Sequence, residues 1–230
     1  MSDLTGSFLD KYRKLEELAK EKYGTRDNES AIVRMEDSRE YSRYKGKIAY
    51  CRKVRNILSH YPKVEQTFAV EVSEPMIRLL DDLIDEITQT ADSIMIKSRY
   101  VFSCGIDDNI LPAMRTMSEK CYTHIPILEN GVLKGVFSEN TLLSYIIDDE
   151  IVEINKDAKF RDLEKYLPIN AHRGETFKFI PDTMTVTELA EIFRDAMQKQ
   201  ERIGMVFVTK SGKASEKIKG IITAWDLSII

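Results

Sequence analysis

Two stretches of the chain place chemically capable residues at short spacings. In GIITAWDLSII, residues 220–230, a threonine ends an apolar run and an aspartate follows three residues later. A helix starting just after Thr223 turns unpaired amide groups toward a nearby phosphate, and the hydroxyl adds one more donor. Asp226, close to the same helix start, can accept both hydroxyls of a ribose. The spacing also fits a second reading, with Thr223 as a helix N-cap and Asp226 satisfying backbone donors in the first turn. The other stretch is RKVRNILSHYP, residues 52–62. On a helix, Tyr50, Val54, Ile57, Leu58 and Tyr61 form an apolar face, while Arg52, Asn56, Ser59 and His60 fall opposite with Arg55 at the edge. Arg43, Lys45, Lys47, Arg52, Lys53 and Arg55 make a basic run with no acid between residues 41 and 55. That run is either a solvated face paired with an acidic helix or a segment able to contact RNA.

Composition narrows the classes. The 230 residues suffice for one large domain or two small ones, and 43% hydrophobic with 31% charged content describes a folded globular protein. A net charge of −4 and a pI near 5.6 argue against a general nucleic-acid coat. No run suits a signal peptide or a membrane span, and Cys51, Cys104 and Cys121 lack metal or disulfide spacing. Small core hydrophobes in a reducing cytoplasm are expected of them. No metal-ligand cluster, glycine-rich phosphate loop, or serine or cysteine nucleophile with a base is evident, so no metal is expected.

The elements that must hold these residues change character along the chain. Up to about residue 92 the pattern is helical. Phe8, Leu9, Tyr12, Leu15, Leu18 and Ala19 recur at helical steps before Gly24, a second helix covers SAIVRMEDS, and a long third runs from Arg39 to Tyr61. A fourth opens at SEPMIRLLDDLIDEI with Ser73 as N-cap. From residue 93 short β-rich runs alternate with single helices: YVFSC, NILPAMRTMSEK, HIPIL, VLKGVFS and ENTLLSYIID, then FKFI, TVTELAEIFRDAMQ, GMVFVT, IKGIIT and AWDLSII. The expectation is an α+β protein. An antiparallel helical bundle over 1–92 precedes a pair of β-α-β-β-α units over 93–230, divided as 93–150, a connector 151–176 and 177–230.

The tandem unit resembles a cystathionine β-synthase (CBS) domain pair, or Bateman module: THIPILENGVLKGVFSENTLL is similar to the first repeat of that family, and GIITAWDL to its G-h-h-T-x-x-D ending. The resemblance implies interfacial clefts that hold AMP, ADP, ATP or S-adenosylmethionine. Thr223 would touch phosphate and Asp226 the ribose, while Phe179, Ile180 and Thr183 flank the base. It also implies a phosphate-facing role for His124, with pH-dependent affinity. Aligned on Gly135 and Gly220, Ser138 matches Thr223 but Thr141 stands where Asp226 stands, so one working cleft per chain is expected. Arginine, asparagine and histidine in R-N-x-x-x-H resemble the signature of HEPN helical domains, which dimerise and often cut RNA without metal. That likeness implies that His60 acts on the 2′-hydroxyl, Arg55 stabilises the phosphorane and Asn56 holds the pair. Together the resemblances imply a nucleotide-sensing regulatory homodimer that is not an enzyme. A nucleotide-gated ribonuclease and a helical docking module with a vestigial CBS pair are the alternatives.

Overall fold

The structure, a computed structural model, describes residues 4–24, 30–60, 68, 70–148 and 156–227. It is an α+β fold, with N-terminal helices followed by two β-α repeats. The chain divides into two compact units, Met1–Gln89 with Val186–Glu188 and Thr90–Thr185 with Leu189–Ile230.

The first unit contains α1 (Leu4–Tyr23), α2 (Ala31–Asp37), α3 (Lys45–His60) and α4 (Glu74–Thr88). Gly24 stops α1 with a positive φ of 67°, a conformation glycine adopts without steric cost. The apolar steps of α1 bury Phe8, Tyr12, Leu15 and Ala19 against Ile48, Leu80 and Leu83. The long third helix starts later than its sequence suggests, because Ser42–Tyr44 forms a 3₁₀ turn ahead of it. Its inward face is also rotated from the expected one. Ile48, Cys51 and Leu58 are buried, while Tyr50 and Ile57 stay about half exposed. The reason is that Ile48 and Cys51 also recur at helical steps with Leu58, a member of both faces, and this second face is the one packed against α1 and α4. Burial pushes the Cys51 thiol up to about 11, as expected of a core cysteine. Cys121, by contrast, is exposed at a left-handed helix end. Tyr61 lies outside the described residues.

The second unit runs α5 (Ala91–Ile94), β1 (Ile96–Lys97), α6 (Ile110–Lys120), β2 (His124–Glu129), β3 (Val132–Ser138) and α7 (Glu139–Asp148). A 3₁₀ connector at Phe160–Tyr166 leads to β4 (Thr176–Pro181), α8 (Val186–Gln198), β5 (Ile203–Thr209), β6 (Gly220–Ile222) and α9 (Ala224–Leu227). β2 and β3 form a hairpin closed by Asn130 and Gly131, both at positive φ. β1, β6, β5 and β4 make a four-stranded sheet in that order, so a piece of the first repeat edges the sheet of the second.

The expected strand YVFSC is reduced to one bridge, with Cys104 parallel to Ile127. Cys104 donates to the carbonyl of Pro126 and accepts from the amide of Leu128. The next rung would need an N–H from Pro126, which has none, so the ladder stops. In the second repeat β5 contains no proline, and β4 pairs with it from Thr176 to Pro181 with one register shift at Thr176/Phe177. The two repeats share another device. A Cβ on Gly135 would overlap the carbonyl of Leu167, and one on Gly220 the carbonyl of Ile96, so each strand needs glycine where a neighbouring backbone crosses.

Candidate functional site

A cavity of about 480 Å³ lies in the second unit where the repeats meet. One wall comes from the segment after β1, with Tyr100 and Phe102. A second comes from the start of β2, with Thr123 and His124. The start of β5 adds Arg202 and Gly204, and the end of β6 adds Thr223 and Trp225. Tyr100 and Trp225 are 68% and 81% exposed, large for aromatic side chains, and both face this space. The Arg202 guanidinium makes no ion pair among the described residues. The size and lining suit a small organic ligand with a flat ring and an anionic end.

Asp226 Oδ2 accepts the Thr223 amide at 2.6 Å and the Thr223 hydroxyl at 2.8 Å. This is the arrangement that satisfies a backbone donor, and it places Asp226 behind Thr223 instead of on the cavity wall. Oδ1 has no hydrogen-bond partner among the described residues, so half of the carboxylate stays available.

His124 borders the cavity, yet its side chain is only 6% exposed and both ring nitrogens are engaged. Nε2 meets Glu175 Oε2 at 2.8 Å and Nδ1 meets the Thr123 hydroxyl at 2.8 Å. Neither nitrogen is turned to a phosphate. Phe179 packs on Phe207, Ile180 is buried among Leu189, Val206 and Val208, and Thr183 is exposed. None of these three lines the cavity. The structure thus brings Thr223 and His124 to one space, with Asp226 adjoining, and sets the other three apart.

Glu175 and His172 escaped the sequence reading. Both lie in AHRGETF just before β4, at a spacing with no recognisable pattern. His172 Nδ1 meets Glu175 Oε1 at 2.8 Å, and the Ser138 hydroxyl donates to the same oxygen at 2.9 Å. Burial pushes the Glu175 carboxyl up, but the bonds from His124, His172 and Ser138 outweigh it. The net result holds the group well below the usual carboxylate range. Arg202, Tyr100 and Trp225 were also missed. Trp225, an aromatic between the threonine and the aspartate of the motif, was the one legible signal.

In the helical unit the basic run is largely neutralised. Lys45 pairs with Asp37, Lys47 with Glu86 on α4, Arg52 with Glu36 and Arg55 with Glu16. Arg55 also donates to the Asn56 side-chain oxygen at 3.3 Å and stacks over Tyr12, while His60 is exposed at the end of α3. Arg55, Asn56 and His60 thus share one helix end, with the arginine already holding a carboxylate 3.4 Å away. No group of three or more metal-binding side chains with ligand geometry occurs among the described residues, and no described helix is long and apolar enough to cross a membrane.

Residues 91–148 match the family model described as CBS domain. Among solved structures, CbpB in complex with c-di-AMP is similar over 65% of this chain and 88% of its own, at 12% identity and a TM-score of 0.48. A putative acetoin utilization protein (AcuB) from Vibrio cholerae is similar over 62% and 90%, at 17% identity and 0.45. CBSX2 in complex with AMP is similar over 61% and 94%, at 18% identity and 0.42. No curated protein matches the sequence.

Proposed function

We propose that the chain is a nucleotide-sensing regulatory protein: residues 93–230 act as a CBS pair that takes an adenine nucleotide into the cavity between the repeats. The observation carrying this reading is the cavity itself, where two exposed aromatic rings, an arginine with no ion pair among the described residues and the Thr223 motif converge. A purine stacks on Tyr100 or Trp225, Arg202 meets the phosphate, and the free oxygen of Asp226 lies within reach of a ribose as the Thr223 loop adjusts. AMP, ADP, ATP and S-adenosylmethionine all present that combination of ring, diol and polar tail. Occupancy regulates only through a difference in affinity between two arrangements of the protein, and a homodimer of this chain in the cytoplasm is the assembly we assign to it. Isothermal titration with the four ligands tests the reading. One equivalent per chain is expected for at least one of them, and no binding below millimolar concentration overturns it.

Residues 1–92 we read as a HEPN-like helical module that docks a partner. Less favours its alternative role as a metal-independent ribonuclease. Glu16 already neutralises Arg55, and at least four of the six basic residues between 43 and 55 hold carboxylates, which leaves little free charge for RNA.

A further inference from the structure

The repeats are related closely enough to ask what occupies the first repeat's counterpart of the cavity. In the β2–β3 hairpin His124 lies opposite Ser138. In the second repeat Val206 lies opposite Ile222, so the next pair is Met205 and Thr223. Met205 and Thr223 line the open cavity. Their counterparts His124 and Ser138 instead close, together with His172, on one carboxylate, that of Glu175.

The small motif at the end of each final strand is preserved. Thr223 gives its amide to Asp226, and Ser138 gives its amide to the Thr141 hydroxyl at 2.9 Å. What differs is the space in front of it. Ser138 and Thr141 are fully buried, and the side chains of His172 and Glu175 are each 1% exposed.

His172 faces an acceptor on each side, Glu175 Oε1 at Nδ1 and the Leu167 carbonyl at Nε2, 3.3 Å away. His124 faces Glu175 at Nε2 and the Thr123 hydroxyl at Nδ1. Two imidazoles and a serine hydroxyl therefore converge on one carboxylate in a site that solvent hardly reaches. That is the donor set of an anion site, filled by the chain's own side chain.

We propose that the first repeat retains an anion-binding cage and that Glu175 occupies it permanently, leaving each chain with one open cleft and one that is self-occupied. The proposal goes beyond the nucleotide reading and does not depend on it. Thr141 in place of an aspartate then reflects a site whose negative charge comes from the connector.

The test removes the internal anion and supplies an external one. In Glu175→Ala the cage keeps both imidazoles and the Ser138 hydroxyl and is left open by roughly the volume of a small carboxylate. Melting curves are recorded in sodium formate and in sodium chloride at equal ionic strength, for wild type, Glu175→Ala and Glu175→Gln. Formate raises the midpoint of Glu175→Ala by at least about 3 °C over chloride. It leaves wild type and Glu175→Gln unchanged, because a side chain still fills the cage in both. If Glu175→Ala does not fold in chloride, refolding from urea in each salt replaces melting, and recovery in formate alone supports the cage. An equal response of all three proteins, or recovery of the alanine variant in neither salt, overturns the proposal. Because no nucleotide is present, failure here leaves the ligand reading of the open cavity untouched.

Discussion

Replacing Glu175 by glutamine takes one charge from a site that solvent hardly reaches and leaves His124, His172 and Ser138 without their shared carboxylate. The carboxylate accepts three hydrogen bonds, from His124, His172 and Ser138. Removing one partner of a buried ion pair costs about 3–5 kcal/mol. Glutamine keeps the volume and one acceptor oxygen, so the lower end, about 3 kcal/mol, is expected. At this chain length each kcal/mol moves a melting midpoint by about 2–4 °C, which gives a fall of about 6–12 °C. Urea denaturation followed by circular dichroism and by fluorescence of Trp225, the single tryptophan and a residue of the second unit, reads the change. The pH dependence supplies a sharper criterion. The folded carboxyl titrates below its unfolded value, so its contribution is complete above the unfolded range near about pH 4–5 and is lost as pH falls toward the folded value. The variant lacks that group, so the stability gap between the two proteins narrows from about pH 6 to about pH 3. A gap under about 1 kcal/mol at neutral pH, or one that does not shrink in acid, refutes the charge assignment.

Arg202→Ala removes an exposed cation from the cavity wall; it weakens AMP binding about tenfold in calorimetry while the melting point without nucleotide stays unchanged. Gly220→Ala forces a methyl onto the Ile96 carbonyl and lowers stability by about 1–3 kcal/mol or more in urea titration, with Gly135→Ala behaving alike at Leu167. Arg52→Ala leaves the buried Glu36 carboxylate without its bidentate partner and destabilises the helical unit by about 3 kcal/mol, read by circular dichroism. Single-stranded RNA incubated with the chain without metal stays intact, with or without AMP. Cleavage that disappears in Arg55→Ala and His60→Ala would restore the ribonuclease reading.

The fold was legible because hydrophobic period changes visibly along the chain. Phe8, Tyr12, Leu15 and Ala19 step at helical spacing, and the short runs after residue 93 repeat in order. Where the reading went astray, a competing local rule won. Pro126 withheld one N–H and cut the strand at YVFSC to a single bridge, which no count of β-formers reveals. On α3 two overlapping apolar faces were available, and packing against α1 and α4 selected Ile48, Cys51 and Leu58 over Tyr50 and Ile57. The site was legible only where its residues sit in one motif. Thr223 and Asp226 are three apart in sequence, whereas His124, Ser138 and the His172–Glu175 pair come from three segments and meet only through the packing of the repeats. His124 drew attention as a basic residue ahead of IPIL. Its partner Glu175 could not be inferred, because a carboxylate in a loop ordinarily faces water.

Trp225 offers the most direct measurement, since it is the one tryptophan and stands on the cavity wall. Fluorescence is followed while AMP, ADP, ATP and S-adenosylmethionine are added in turn to wild type and to Arg202→Glu. The account predicts a saturable change for at least one adenine nucleotide at submillimolar concentration, strongly reduced in the glutamate variant. Emission that stays flat with all four, or a response that Arg202→Glu leaves intact, contradicts it.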